Sequence, residues 1–396
     1  MKTFKLGLLT LLAFAFLTAC GQTEAPPAEE AAPAEEAAPV EEAAPAEEAA
    51  PTEEAMAEEA APTEEAMAEE EAAPTEEAMA EEEAAPTEEA MADEAMTDGY
   101  TIAFVPGVNP DPFYITMGTG VNQAASDLGV NIIQQDPSAF DVTVSAPIIE
   151  ALISRGDIDA LVTAPNDKEQ SIPVLQKAYE AGIPVITVDT FIGDGDYANG
   201  EVTFPLSYIG SDNVQGGFIA CSALADELGE GADIYIQNVR PGISTTDQRE
   251  EGCVQAAEER GLNVVRVDYN DNSADTAQQQ TAAVLQANPN IAGMFATNTF
   301  GALGAGTAIQ NAGVQDAIKI ALFDASEENV GFLRDGVVSL VIAQKPADMG
   351  YLGVVGQIAA VRGVSSMPKR VPTGYAVMTA DNIDDPEIAR FIYTSN

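Results

Sequence analysis

From Tyr100 onward, short apolar, β-branched runs alternate with longer helical stretches, and the alternation runs through twice. In the first round, strands are predicted at 100–106, 130–134, 160–163 and 183–189, with helices at 113–128, 144–155 and 171–181. In the second, helices at 215–228, 245–260, 274–287, 301–311 and 327–334 separate strands at 232–237, 264–268, 292–296 and 318–323. Runs such as Ile183-Pro-Val-Ile-Thr-Val have no polar alternate face, so they suit strands buried on both sides. Strand and helix alternating at this pace build parallel sheets covered by helices on both faces. The expected fold is α/β, with two doubly wound parallel-sheet lobes and a cleft between them. In such sheets ligands sit beyond the carboxyl ends of the strands.

The chain has 396 residues and a formal charge of −49. Of its 65 acidic residues, 28 lie between Gly21 and Asp98, a stretch without Lys or Arg. Beyond it remain 37 acids against 14 bases, still about −23. Such a surface repels phosphate backbones, so no nucleic-acid partner is expected. Histidine is absent and only three cysteines occur, without a Cys-x-x-Cys pair. Triads built on imidazole, histidine zinc sites and thioredoxin-like chemistry are thereby removed. No catalytic residue, metal or cofactor is expected.

The first 98 residues read differently. Residues 1–19 have a basic start (Lys2, Lys5), an apolar run from Leu6 to Leu17 and small residues at the cut, the pattern of a secretory signal peptide. Residues 20–98 are rich in Ala, Pro and Glu and repeat first every six and then about every twelve residues. Ala, Glu and Met favour helix, but recurrent proline interrupts it and like charges repel. A disordered tether spanning roughly 50 Å is expected.

The predicted strands end in polar and aromatic side chains. Asp111, Phe113 and Tyr114 follow the first strand, and Asp189, Thr190 and Phe191 close the fourth. In the second round Asp247, Asn298, Phe300, Asp324 and Gln344 take corresponding places. A carboxylate accepts from adjacent hydroxyls, while Asn and Gln both donate and accept, which is what a polyhydroxylated ligand requires. Its C–H faces need rings, and with no Trp in the chain these are Phe113, Tyr114, Phe191 and Phe300. Each has a plainer alternative: Asp189 or Asp324 as a cap, Phe113 or Phe300 as core, Asp247 as an acid at a helix start.

On these residues the chain resembles the type I periplasmic binding proteins of the ribose and glucose/galactose group. The pieces are Asn109-Pro-Asp-Pro-Phe113, Ile183-Pro-Val-Ile-Thr-Val-Asp189, Gly210-Ser-Asp-Asn-Val-Gln-Gly-Gly217, Ala296-Thr-Asn298, Phe323-Asp324 and Ile342-Ala-Gln344. The resemblance implies a three-crossover hinge, with residues 99–209 and 345–371 in an N-terminal lobe and 210–344 and 372–396 in a C-terminal lobe. It implies a sugar site at Asp111, Phe113, Tyr114, Asp189, Asn298, Asp324 and Gln344. Asp111 resembles the glucose/galactose relatives, so a hexose is expected before a pentose. Thr190 and Asp247 stand where relatives often have Arg, and Asn272 where they often have an aromatic. Arg249 matches a position read as structural.

The segment Leu17-Thr-Ala-Cys20 resembles a bacterial lipobox, which implies lipidation of Cys20 and an extracytoplasmic, membrane-anchored monomer. Its implied partners are a small-molecule sugar, the membrane through the lipid, and the permease subunits of an ABC importer. Cys221 and Cys253 fall on predicted helices of the second lobe and either form a disulfide or remain buried thiols. The alternatives on the same fold are a signal, nucleoside or polyol receptor. A carboxylate-dependent enzyme and a structural surface lipoprotein are remoter ones.

Overall fold

The computed structural model describes residues 99–364 and 366–395; the predicted signal peptide, Cys20 and tether lie outside them. The first lobe opens with β1 (Thr101–Val105), α1 (Pro112–Leu128), β2 (Asn131–Gln134), α2 (Val142–Arg155) and β3 (Ala160–Thr163). It continues with α3 (Ile172–Glu180), β4 (Val185–Val188) and β5 (Ser207–Gly210). The second lobe begins with α4 (Asn213–Leu228), β6 (Asp233–Asn238), α5 (Ser244–Arg260), β7 (Asn263–Tyr269) and α6 (Ala274–Ala287). Then come β8 (Ile291–Ala296), α7 (Thr299–Ala312), β9 (Lys319–Phe323), α8 (Glu327–Arg334) and β10 (Leu340–Gln344). The chain returns to the first lobe as α9 (Pro346–Val361) and β11 (Arg370–Pro372), and finishes in the second with β12 (Tyr375–Met378) and α10 (Pro386–Ala389).

Each lobe has a six-stranded sheet. Their orders are β2-β1-β3-β4-β5-β11 and β7-β6-β8-β9-β10-β12, and every pair is parallel except β10 with β12. Central strands are buried along their length, as β3, β4 and β10 show, whereas β2 and β7 at the sheet edges are partly or fully exposed throughout. Side chains of β1 divide between two layers. Ile102 and Phe104 join α1 and α9 residues Met117, Val121, Val354 and Ile358, while Ala103 and Val105 join α2 and α3 residues Leu152 and Leu175.

Small residues let helices approach closely. A Cβ on Gly217 of α4 would stand 2.0 Å from the Arg249 carbonyl oxygen of α5, and one on Gly252 of α5 would stand 1.9 Å from that of Val214. The same helix pair carries the disulfide Cys221–Cys253, with Cα atoms 5.0 Å apart, within the span such a bond requires.

The chain crosses between lobes after Gly210, after Gln344 and after Pro372. Two of these strands are tied side by side, Thr373 N donating to the Gly210 carbonyl at 3.1 Å and the Ser211 hydroxyl to that of Gly374 at 3.4 Å.

Candidate functional site

The carboxyl ends of both sheets face a cavity of about 40 Å³ between the lobes. Asp111 enters it as the N-cap of α1, its Oδ1 accepting from Phe113 N at 2.9 Å. Asp189 follows β4 with φ 59°, and Asp324 follows β9 with φ 76°. A left-handed backbone is uncommon in residues other than glycine, and two strand ends share it where they meet the cavity. Tyr114 donates to Asp189 Oδ2 at 2.8 Å. Besides its Arg249 neighbour, Asp324 is held by four donors from three residues: Gln344 Nε2 at 2.8 Å, the Tyr393 hydroxyl at 3.1 Å, and Thr299 N and Oγ1 at 3.1 and 3.4 Å.

Electrostatics follow from this burial. Loss of water pushes Asp111 up to about 7; nearby Asp324 and Asp189 add to the rise and the Phe113 N–H opposes it. Burial raises Asp189 to about 6, with Arg249 and the Tyr114 hydroxyl pulling the other way. Arg249 is the cation of the cavity wall. It donates from Nε to Asn213 Oδ1 and from Nη1 to the Thr297 carbonyl, both at 2.8 Å, and lies 4.0 Å over the Phe323 ring. Its Nη1 is 3.7 Å from Asp324. Arg249 Nη2, Gln344 Oε1 and Thr246 Oγ1 are buried without a partner. All three residues line the cavity, so donor and acceptor capacity is left for a ligand.

Asn298 caps α7 through Oδ1 and donates from Nδ2 to Asn272 Oδ1 at 2.7 Å. Phe113, Tyr114 and Phe140 supply rings and Val239 and Ile243 an aliphatic wall. Tyr114 and Phe140 are stacked with centroids 6.4 Å apart.

Of the residues singled out from sequence, Asp111, Phe113, Tyr114, Asp189, Asn272, Asn298, Asp324 and Gln344 line the cavity. Thr190, Phe191, Asp247 and Phe300 do not. The Thr190 hydroxyl is turned to the Pro165 carbonyl at 2.7 Å, because the backbone at Asp189 turns through a left-handed φ of 59°. Phe191 sits in the first lobe's core, edge-on to Tyr208 at 5.3 Å. Asp247 pairs with Lys168 of the first lobe at 2.9 Å, beside the cavity rather than in its lining. Phe300 is the second residue of α7, and the helical step turns it away from the wall formed by Asn298 and Thr299.

The sequence reading omitted Phe140, Val239, Ile243, Thr245, Thr246 and Thr299, and left Arg249 as structural. Thr245, Thr246 and Arg249 lie in the first turns of α5 after β6, a strand-end position that carried the signal used elsewhere.

Two doubly wound lobes, crossed three times and closing on a buried polar cleft, define a solute-binding protein of the type I class. The chain belongs to the periplasmic binding protein family: the family's "periplasmic binding protein domain" matches residues 102–363. It is 32% identical over 254 residues to the ribose import binding protein RbsB of Salmonella typhimurium, spanning 64% of this chain and 82% of that protein. An ABC transporter solute-binding protein from Agrobacterium vitis, solved with α-D-tagatopyranose, superposes with a TM-score of 0.72 at 44% identity, covering 74% of this chain and 99% of that one. A second from Agrobacterium vitis, solved with D-fucose, gives 0.70 at 26% identity, covering 74% and 100%.

Proposed function

We propose that the protein captures a monosaccharide in the interlobe cleft and delivers it to the permease of an ABC importer. The carrying observation is that Asp111, Asp189 and Asp324 converge on one interlobe cavity with Asn298, Gln344 and the Phe113 and Tyr114 rings. Carboxylates in a dry site accept from sugar hydroxyls with charge-assisted strength, and the amides sort donors from acceptors. Contacts to both lobes would stabilise the closed form relative to the open one. A hexose is the favoured ligand, with a pentose next. Relatives solved with α-D-tagatopyranose and D-fucose, and curated relatives that bind ribose, support a sugar.

The protein acts outside the cytoplasm as a monomer without enzymatic activity. The Leu17-Thr-Ala-Cys20 segment supports attachment to the cell membrane through lipid on Cys20, with residues 20–98 as the tether. Asp111, Phe113, Tyr114, Asp189, Asn272, Asn298, Asp324 and Gln344 contact the sugar, and Arg249 joins them through Nη2.

Thermal melts of the full chain in detergent, against aldoses, ketoses, polyols, nucleosides and amino acids, test this reading. A ligand bound only by the native state raises the midpoint by mass action. A rise confined to one or a few sugars, lost in Asp324→Ala, is expected. A rise with nucleosides or amino acids alone would replace the ligand class.

A further inference from the structure

Beside the cavity, but outside its lining, the two lobes are joined directly at the cleft mouth. Lys168 lies in the β3–α3 connection of the first lobe, and Asp247 in the first turn of α5 in the second. Lys168 Nζ donates to Asp247 Oδ2 at 2.9 Å, and Lys168 N donates to the Gly242 carbonyl at 2.9 Å. Asp247 also accepts from Gly242 N at 3.1 Å, so one carboxylate grips both its own loop and the opposite lobe. Arg240 of that loop reaches back across the mouth to the Phe140 carbonyl at 2.9 Å and lies 5.9 Å over the Phe140 ring.

We infer that Lys168, Asp247 and Arg240 form a latch whose closure sets how long the protein retains a bound sugar. This rests on the sugar-binding reading of the cleft. The latch holds down the β6–α5 connection, which carries Val239 and Ile243 into the cavity wall. Lys168, Asp247 and Arg240 do not line that wall, so they act on lobe separation rather than on recognition. An acid at 247, where the resemblance places a ligand arginine, is thereby explained: the position has been turned from the ligand to the opposite lobe. Lys168 and Asp247 side chains remain 35% and 27% exposed, which makes the tie strong enough to bias closure and open enough for salt to weaken it.

Ligand leaves after the lobes part, so breaking the latch raises the release rate and leaves encounter nearly unchanged. In the full chain, Lys168→Met and Asp247→Asn are each expected to speed release about 2- to 5-fold, with association within about twofold of wild type. Rapid filtration with radiolabelled D-tagatose, D-allose and D-ribose reads both rates. The double variant is expected to be no faster than the faster single one, and the Lys168→Asp/Asp247→Lys exchange to restore slow release in part, because Lys at 247 can remake the ion pair but cannot accept from Gly242 N. High salt is expected to shrink the gap. Unchanged release, or losses carried only by association, would overturn the latch. A second measurement needs no sugar. Spin labels at Ser154→Cys and Glu258→Cys, exposed positions on opposite lobes, report their separation. Lys168→Met is expected to add longer distances, and identical distributions with and without Lys168 refute the proposal. If the wild-type chain retains none of the three sugars, the sugar reading loses support while the label distances still judge the latch.

Discussion

Replacing Asp111 with Asn tests whether the cavity is built at the expense of stability. Asp111 is 5% exposed and its carboxyl stands at about 7 against an ordinary 3.8. Because the folded value is raised, the native state holds a proton that the unfolded chain has released. Stability from this group is therefore greatest below pH 4 and is lost as pH rises through about 7. Three units correspond to about 4 kcal/mol as a ceiling, and relaxation of the site reduces this to roughly 2–4 kcal/mol. Asn cannot ionise, yet its side-chain oxygen still caps α1 by accepting from Phe113 N. Asp111→Asn is expected to melt about 4–8 °C above wild type at pH 8, with the gap closing toward pH 4. Calorimetric melts of sugar-free protein from pH 4 to pH 8 read this directly. Asp189→Asn should follow the same sign with a smaller amplitude, since that carboxyl stands at about 6. A lower midpoint for Asp111→Asn at pH 8, or a difference that does not vary with pH, would refute the reasoning.

Asp324→Asn should behave oppositely, because it removes the anion beside buried Arg249 and leaves one oxygen for donors that two now hold; a loss of roughly 3 kcal/mol in denaturant melts, with sugar affinity down at least about 100-fold, is expected. Gly217→Ala drives a methyl toward the Arg249 carbonyl and should destabilise by about 1–3 kcal/mol in the same assay. The Cys221–Cys253 bond closes a loop of sequence separation 32, so its removal by Cys221→Ala/Cys253→Ala should cost about 4 kcal/mol, and wild type should show no free thiol there without reductant. Cys20→Ser should move the protein from the membrane to the soluble fraction on cell lysis, and continued membrane retention would argue against lipidation.

Most elements were legible because a parallel strand buried on both faces leaves an uninterrupted apolar run, and the helix beside it leaves a longer, mixed one. Helices 274–287 and 327–334 match α6 and α8 end to end, their starts marked by Ser273 and Ser326 caps. The edge elements were harder. β11 and β12 are three and four residues long, too short to stand out from loop, and they join the sheets only through pairing with β5 and β10. α9 carries apolar residues on most of its surface, so no stripe announces that it packs between α1 and the first sheet.

Sequence by itself determined the class of fold and the chemistry of the cleft. Asp111, Asp189, Asn298, Asp324 and Gln344 are polar groups placed where apolar runs end, and that much is local information. Tertiary structure decided which neighbours share the cavity. Asp189 and Thr190 are adjacent in sequence, but one faces the cleft and the other the Pro165 carbonyl, because the backbone turns at a left-handed φ. Asp247 and Arg249 lie two apart on one helix, where a rotation of about 200° separates an interlobe ion pair from a cavity guanidinium. The direction a side chain takes depends on backbone torsion and on what the opposite lobe brings to meet it, and neither is written in the spacing of residue types.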